Sequence, residues 1–299
     1  MTKFSVIIPA YNEEETIEKF LNDLHASLGG VNTTGEVIVV DDGSSDNTSS
    51  IANNISGVKV IRHPYNKGNG ASVKTGILSA QGERIIIIDA DGQHDPQHIP
   101  EMLRLLDEYD LVVGARETFG VGRRGFGNIV VSKLASYLTG IKIPDLTCGF
   151  RAFKKDKMFE FIDLLPNGFS LPSTSTLAFA TRGYNVKFIP ITAHVRKGGK
   201  SSVMVFKDGM KFLVLIVRMV SLFKPLKVFV PTSISLLFFG LIWSVRSYLL
   251  SKSISSLGVM FLLAGIFILM IGLLTDQIAE TRLSLGKINK LLMNKKQGD

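Results

Sequence analysis

A single cysteine, Cys148, and a single tryptophan, Trp243, are all that a chain of 299 residues carries of either type. One cysteine excludes an internal disulfide and fits a reducing compartment. Acidic residues are scarce toward the C-terminus. Residues 204–299 hold 12 Lys and Arg against 4 Asp and Glu, while residues 1–203 are balanced at 22 of each, so the whole net charge of +8 sits in the last third. Basic residues interleaved with aromatics, as on an RNA-binding surface, are missing, which argues against nucleic acid as a partner. A basic tail beside apolar runs suits an anionic membrane surface instead. No signal peptide is expected, because residues 1–3 lead directly into an apolar strand.

What the sequence does have is a run of four isoleucines, Ile85 to Ile88, which reads as a strand buried on both faces. It ends in Asp89-Ala-Asp91, followed by Gly92 and Gln93. At a strand's C-terminal end, where the backbone turns, two such carboxylates can reach one hard cation. Mg²⁺ or Mn²⁺ held by one or two carboxylates leaves room for substrate phosphates. The carboxyl ends of parallel strands are also where open α/β sheets bind ligands.

Around this run, strands are predicted at residues 4–8, which Pro9 ends, and at 36–42, 58–61, 111–114 and 186–191. Helices are predicted at residues 13–28 with Asn12 as N-cap, from 48 onward, up to Ala80, at 96–109 and at 129–138. The alternation predicts an α/β fold with a mostly parallel sheet. Residues 9–14 place Tyr11 where it can stack on a base and Glu13 where it can bond a base or ribose. On its own, however, that stretch reads better as a plain helix start. The glycine-rich turn at residues 66–72 fits neither the P-loop nor the dinucleotide spacing, although it puts Lys67 where a diphosphate could use it. Residues 117–128, glycine-rich with Arg123 and Arg124 adjacent, read as a mobile loop suited to covering an anionic substrate. Residues 169–176 read as a polar patch before a helix. The lone histidines, His94 included, read as structural or solvated.

Four motifs in order carry a resemblance: residues 7–13 (Ile-Ile-Pro-Ala-Tyr-Asn-Glu), 40–46 (Val-Asp-Asp-Gly-Ser-Ser-Asp), 89–93 (Asp-Ala-Asp-Gly-Gln) and 145–151 (Asp-Leu-Thr-Cys-Gly-Phe-Arg). Together the chain resembles a family 2 glycosyltransferase of GT-A fold, of the dolichyl- and polyprenyl-phosphate type to which the dolichol-phosphate mannose synthases belong. The resemblance implies that Pro9, Tyr11, Glu13 and Asp41 hold the nucleotide, and that Asp89, Asp91 and Gln93 hold Mg²⁺ or Mn²⁺. It matches Arg116, Arg196 and Ser201 to acceptor-side elements, and composition adds Arg123 and Arg124 to the acceptor-phosphate set. The implied donor is a nucleotide-diphospho-sugar, the implied acceptor a polyprenyl phosphate, and in-line attack would invert the anomeric centre. An ionised acceptor phosphate needs no strong base; Asp145 is the candidate if one acts. Many relatives place a glutamate near residues 169–176, where this chain has Ser and Thr, so the sugar stays open, as do the nucleotide base and prenyl length.

The remainder reads as a membrane attachment. Residues 203–223 are apolar but interrupted by Lys207, Asp208, Lys211 and Arg218, which suits a helix lying in the headgroup plane. Residues 228–245 and 254–275 are nearly uncharged runs of 18 and 22, against the ~20 that a bilayer core requires. Lys and Arg flanking the hairpin put both its ends in the cytoplasm. The expected division is therefore a GT-A domain at 1–202, the interfacial helix at 203–227, a transmembrane hairpin at 228–275 and a basic tail at 276–299. Self-association stays open. Two alternatives compete with this reading. A family 2 synthase extending a polysaccharide commonly carries Gln-x-x-Arg-Trp, whereas the only tryptophan here lies inside a predicted span. A non-catalytic membrane scaffold is disfavoured by intact Asp41, Asp89, Asp91 and Gln93.

Overall fold

The computed structural model describes residues 2–31, 33–116, 123–168, 170–192, 214, 216–253 and 255–298. The chain divides into two compact units, Met1–Phe212 with Gly286–Asp299, and Leu213–Leu285.

The first unit is built on a seven-stranded sheet: β1 (Phe4–Ala10), β2 (Gly35–Asp41), β3 (Val58–Arg62), β4 (Arg84–Ile87), β5 (Leu111–Arg116), β6 (Arg151–Lys154) and β7 (Val186–Ile191), in the order β3-β2-β1-β4-β6-β5-β7. All pairings are parallel except those of β6, which runs antiparallel to both β4 and β5. The isoleucine run is buried as expected, from 0 to 3% exposed; each such side chain contributes about 1.5–3 kcal/mol by leaving water. The helices α1 (Ile17–Leu28), α2 (Thr48–Asn53), α3 (Asn69–Ser79), α4 (Ile99–Leu105), α5 (Arg123–Thr139) and α6 (Leu171–Thr181) connect or flank the strands.

Several boundaries depart from the sequence reading. Pro9 does not end β1. Ile7 accepts from Ile88 N–H on the β4 side, so Pro9, two residues on, faces the same side after the β4 pairing has stopped at Ile7, and its missing N–H costs no ladder bond. Asn12 does not cap α1; it takes φ +53°, and the helix begins only at Ile17. Residues 123–128 are helical rather than loop, as the first turns of α5. The polar patch at 170–176 is not a prelude to α6 but largely its first half. The antiparallel β6 had no counterpart in the reading.

The second unit contains α7 (Leu226–Ser251) and, up to Leu285, the greater part of α8 (Ser256–Gly298). Both helices are long and apolar enough to cross a membrane, over Leu226–Ser251 and Ser256–Arg282. They pack through glycine. A Cβ on Gly258 would meet Ser244, one on Gly265 Leu237, and one on Gly272 Phe229. The spacing of seven keeps the three on one face of α8, and small residues there let backbones approach. Ser233 Oγ donates to the Gly265 carbonyl at 2.8 Å. Of the expected interfacial segment, residues 203–213 and 215 lie outside the described residues; 216–223 are helical and the helix breaks at Lys224 and Pro225.

Candidate active site

The carboxyl ends of β1, β2 and β4 open onto a cleft of about 440 Å³. Its lining includes Pro9, Tyr11, Glu13, Asp42, Asn66, Asn69, Ser72, Asp89, Asp91, Thr147 and Gly149. Two strand-end loops form one wall and are tied to each other. Asn12 Oδ1 accepts from Ser45 N–H at 2.9 Å, and Asn12 N–H donates to Ser44 Oγ at 3.0 Å. Glu13 N–H donates to Thr48 Oγ1 at 2.8 Å, and Glu14 Oε2 accepts from Asn47 N–H at 3.1 Å. Asparagine tolerates the left-handed conformation better than most residues. The bend at Asn12 leaves Tyr11 46% exposed on the cleft wall, a flat face free to stack.

The two aspartates ending β2 part company. Asp41 is fully buried and does not line the cleft: Oδ1 accepts from Ser44 N–H at 3.0 Å, and Oδ2 faces Arg62 Nε at 3.2 Å. Asp42 lines the cleft in its stead. Lys67 is exposed, and its ammonium sits over the Tyr65 ring at 5.7 Å.

Asp89 and Asp91 stand together where the β4 run turns, both on the cleft wall. Asp89 Oδ1 accepts from Asn69 Nδ2 at 3.3 Å, and Asp91 Oδ1 from the backbone N–H of Gln93 at 3.1 Å. Burial, then the neighbouring Asp91, pushes the Asp89 carboxyl up to about 6. Two neighbouring carboxylates, one of them buried and raised by the other's charge, are a donor set that a divalent cation would relieve. Among the described residues no three His, Cys, Asp or Glu gather into a protein-only cage, so phosphate or water oxygens would have to complete the shell. The residues present fit such an ion.

Behind Asp89 the chain comes very close: a Cβ on Gly149 would lie 2.5 Å from Asp89 Oδ2. Gly149 is placed by Arg151, which is fully buried. The Arg151 guanidinium donates to the carbonyls of Cys148 and Pro172, the latter at 2.7 Å, and to Ser175 Oγ at 2.6 Å and Thr176 Oγ1 at 3.2 Å. The Ser/Thr stretch is thus the cradle of a buried cation. Burial lowers the Arg151 pKa to about 10, which leaves it charged at neutral pH, and pushes the Cys148 thiol up to about 12, which leaves it inert.

Arg116 and Asp145, read from sequence as an acceptor ligand and a candidate base, bond each other. Nε donates to Asp145 Oδ2 at 2.7 Å and Nη2 to Asp145 Oδ1 at 3.0 Å, with Thr147 Oγ1 at 2.8 Å. Although burial alone would raise it, this bonding holds the Asp145 carboxyl below the usual range, so it is a poor proton acceptor. Arg123 and Arg124 begin α5, with side chains outside what is described; Arg196 and Ser201 lie outside the described residues. On the far side of Asp91 a second hollow of about 650 Å³ is lined by Lys19, Phe20 and His94. His94 stacks on Phe150, its Nδ1 has no partner among the described residues, and burial lowers its pKa to about 4, so its ring is neutral.

The family model described as Glycosyl transferase family 2 matches residues 5–159, more than half of the chain. The chain belongs to glycosyl transferase family 2. It is a glycosyltransferase, and a second model, the GtrB C-terminal hairpin, matches residues 224–281. Among its relatives is a dolichol-phosphate mannosyltransferase of Pyrococcus furiosus, 33% identical over 67% of this chain; the chain spans 59% of that protein's length. A dolichyl-phosphate hexose transferase of Haloferax volcanii is 32% identical over 65% of this chain and 84% of its own. A polyprenol monophosphomannose synthase of Mycolicibacterium smegmatis is 31% identical over 66% and 80%. In fold, the chain is similar to glucosyl-3-phosphoglycerate synthase from Mycobacterium tuberculosis crystallised with Mn²⁺, UDP and phosphoglyceric acid, with a TM-score of 0.59 at 20% identity over 74% of this chain and 78% of that one.

For this glycosyltransferase, sequence reasoning overlooked Asp42, Asn69, Ser72, Thr147 and Gly149 as cleft residues. Ser72 stands out: fully buried, lining the cleft, its hydroxyl without a partner among the described residues. Its signal was its place on the first turn of the helix that follows the glycine-rich loop.

Proposed function

We propose that this enzyme transfers a sugar from a nucleotide-diphospho-sugar to a polyprenyl phosphate at a membrane, inverting the anomeric centre. The observation that carries the reading is the lightly bonded Asp89–Asp91 pair opening onto a cleft with Tyr11 on its wall, in a chain that also holds two helices of bilayer length. The names of the lipid-phosphate relatives support the acceptor class.

Asp89 and Asp91, with Gln93 alongside, would hold Mg²⁺ or Mn²⁺. When bound, that cation neutralises the charge developing on the departing nucleotide diphosphate. Tyr11, Glu13 and Pro9 hold the nucleoside. Arg116, fixed by Asp145, keeps its remaining donor capacity for an acceptor phosphate oxygen, with Arg123, Arg124, Arg196 and Ser201 as further candidates. Asp145 orients Arg116 and takes no proton. The hairpin enters the membrane with both ends cytoplasmic. The interfacial segment at 203–227 and the basic tail at 276–299 flank it.

The test is a panel of radiolabelled nucleotide sugars incubated with membranes containing the enzyme and polyprenyl phosphate, followed by lipid extraction. Label should enter the lipid only with a divalent cation. Transfer to a glycan and not to lipid would favour the synthase alternative. Arg116→Ala and Arg196→Ala should impair lipid transfer, each by about 2 kcal/mol as a lost charged hydrogen bond, with donor binding nearly unchanged. Cysteines introduced at Ser201 and Lys295 should be labelled from the same side of the membrane; opposite sides would mean a single span.

A further inference from the structure

Helix α5 is apolar on two sides, and only one of them is in the core. Val131, Ala135 and Leu138 are fully buried. On the opposite side Ile129 is 41% exposed, Val130 39% and Tyr137 54%, with Lys133 exposed among them. On a helix of 3.6 residues per turn these four positions fall within an arc of about 100°. The pattern continues past the helix end, where Ile141 and Lys142, both exposed, follow the turn at Gly140. That segment is tied back to the helix. Ile143 N–H donates to Ser136 Oγ at 3.0 Å, and Leu146 N–H to Ser132 Oγ at 3.3 Å. With its inner side buried and its end clamped, α5 cannot roll to hide the outer face.

Single apolar residues on a surface need no explanation, but a contiguous face of them does. Charge says what this face meets. Residues 118–144 hold four Lys and Arg and no Asp or Glu, inside a region, 1–203, whose charges sum to zero. Apolar side chains among cations suit an anionic headgroup layer, the apolar groups entering it and the lysine stems lying along them. A second copy of the chain suits the face less well, because a two-fold contact would set its cations against the same cations.

We propose that this face of α5 docks on anionic phospholipid, a membrane contact of the glycosyltransferase domain separate from the hairpin and from the 203–227 segment; this depends on reading the hairpin as membrane-spanning. Docked through α5, the domain meets the bilayer in one orientation, and the strength of the contact follows the lipid charge.

The experiment uses the full chain in lipid nanodiscs. Its one native cysteine, Cys148, is buried, so a bimane on an introduced cysteine reports that position alone. Labels at Val130→Cys and Tyr137→Cys are compared with Leu78→Cys, 56% exposed on α3, and with Phe239→Cys, 60% exposed on α7. With phosphatidylglycerol present, acyl-brominated lipid should quench the labels of Val130→Cys, Tyr137→Cys and Phe239→Cys and spare that of Leu78→Cys. In phosphatidylcholine alone, quenching of the two α5 labels should fall while that of Phe239→Cys holds. Lys133→Glu combined with Lys142→Glu should act in the same way, each cation at an anionic surface being worth roughly fivefold in partitioning. Unquenched α5 labels beside a quenched Phe239→Cys overturn the proposal, as does equal quenching of Leu78→Cys. α5 labels shielded from lipid and aqueous quenchers alike overturn it in favour of a protein partner, a second copy included. An unquenched Phe239→Cys overturns the spanning hairpin instead, and the proposal with it. The two lipid mixtures are compared on one protein, so the folding of a variant does not enter that contrast.

Discussion

Two pairs of aspartates end two strands of the same sheet, and they have opposite fates. At the end of β2, Asp41 and Asp42 receive Ser44 N–H, Arg62, His63, Lys67 N–H and Gly68 N–H. At the end of β4, Asp89 and Asp91 receive one side-chain amide and one backbone N–H among the described residues. The first pair spends its charge on the protein, tying loops into a cleft wall. The second is left with few partners, and burial, then the charge of Asp91 beside it, raises the Asp89 carboxyl to about 6. Unsatisfied like charges in a cleft cost stability, and such a cost persists where function needs the groups. Identical residue types, two strands apart, thus build in one place and, in the function proposed above, bind in the other.

The largest test of that contrast is Asp91→Asn. Removing one of two carboxylates should lower turnover on the order of 10³-fold, as several kcal/mol of transition-state stabilisation goes with the cation. The melting temperature should hold or rise, since repulsion with Asp89 is relieved. A melting temperature that falls sharply would place this pair with the builders, and full turnover would remove the metal role altogether.

Next in size is Asp145→Asn, which breaks a nearly buried ion pair and should cost about 3 kcal/mol at neutral pH. Asp145 is held low, so its contribution is present above the unfolded carboxylate value of about 3.9 and is lost as pH falls through the folded value. The gap between wild type and variant in thermal melts should therefore shrink below about pH 4. A gap independent of pH would mean that packing, not charge, is what the variant loses.

Gly149→Ala probes the binding pair without touching a carboxylate. The new Cβ would lie 2.5 Å from Asp89 Oδ2, so the carboxylate must shift. Mn²⁺ affinity, read by calorimetry with UDP present, should fall about tenfold, as for other changes just behind a ligand. Unchanged affinity would show that Asp89 contributes little to the ion.

Much of this was legible from residues alone. The isoleucine run marked β4, the Asp-x-Asp after it lies on the wall of the cleft, and alternation marked a mostly parallel sheet. Which of Asp41 and Asp42 faces the cleft was not legible. Side chains alternate along a strand, but every residue from Val37 to Val40 is apolar and buried, so no polar face marks the phase. The four-residue β6, with Arg151 and Lys154 at its ends, has no pattern of its own and exists because β4 and β5 leave a place between them. The Ser/Thr-rich half of α6 looked like loop because hydroxyls compete with helix bonds. In the fold Thr174, Ser175 and Thr176 return theirs to carbonyls a turn earlier, and Ser175 and Thr176 also receive Arg151. The pairing of Arg116 with Asp145 spans 29 residues and could not be read from local sequence.

The smallest effect belongs to Ser72, and its value lies in its sign. Its hydroxyl is fully buried and bonds nothing among the described residues, although it lines the same cleft as Asp42 and Asp89. A buried polar group without a partner costs about 1–3 kcal/mol, and alanine is the better helix former by about 0.5 kcal/mol. Ser72→Ala should therefore leave the ligand-free enzyme as stable as wild type or more so by up to about 1 kcal/mol, seen as a melting temperature unchanged or raised. If the hydroxyl's partner is the donor, the same variant should bind the nucleotide sugar several-fold more weakly, as expected for one neutral hydrogen bond of about 1 kcal/mol. The two changes run in opposite directions, which a general loosening of the cleft cannot produce. A variant that melts lower and binds normally would put Ser72 with Asp41, among the groups that build the wall and not those that wait for the ligand.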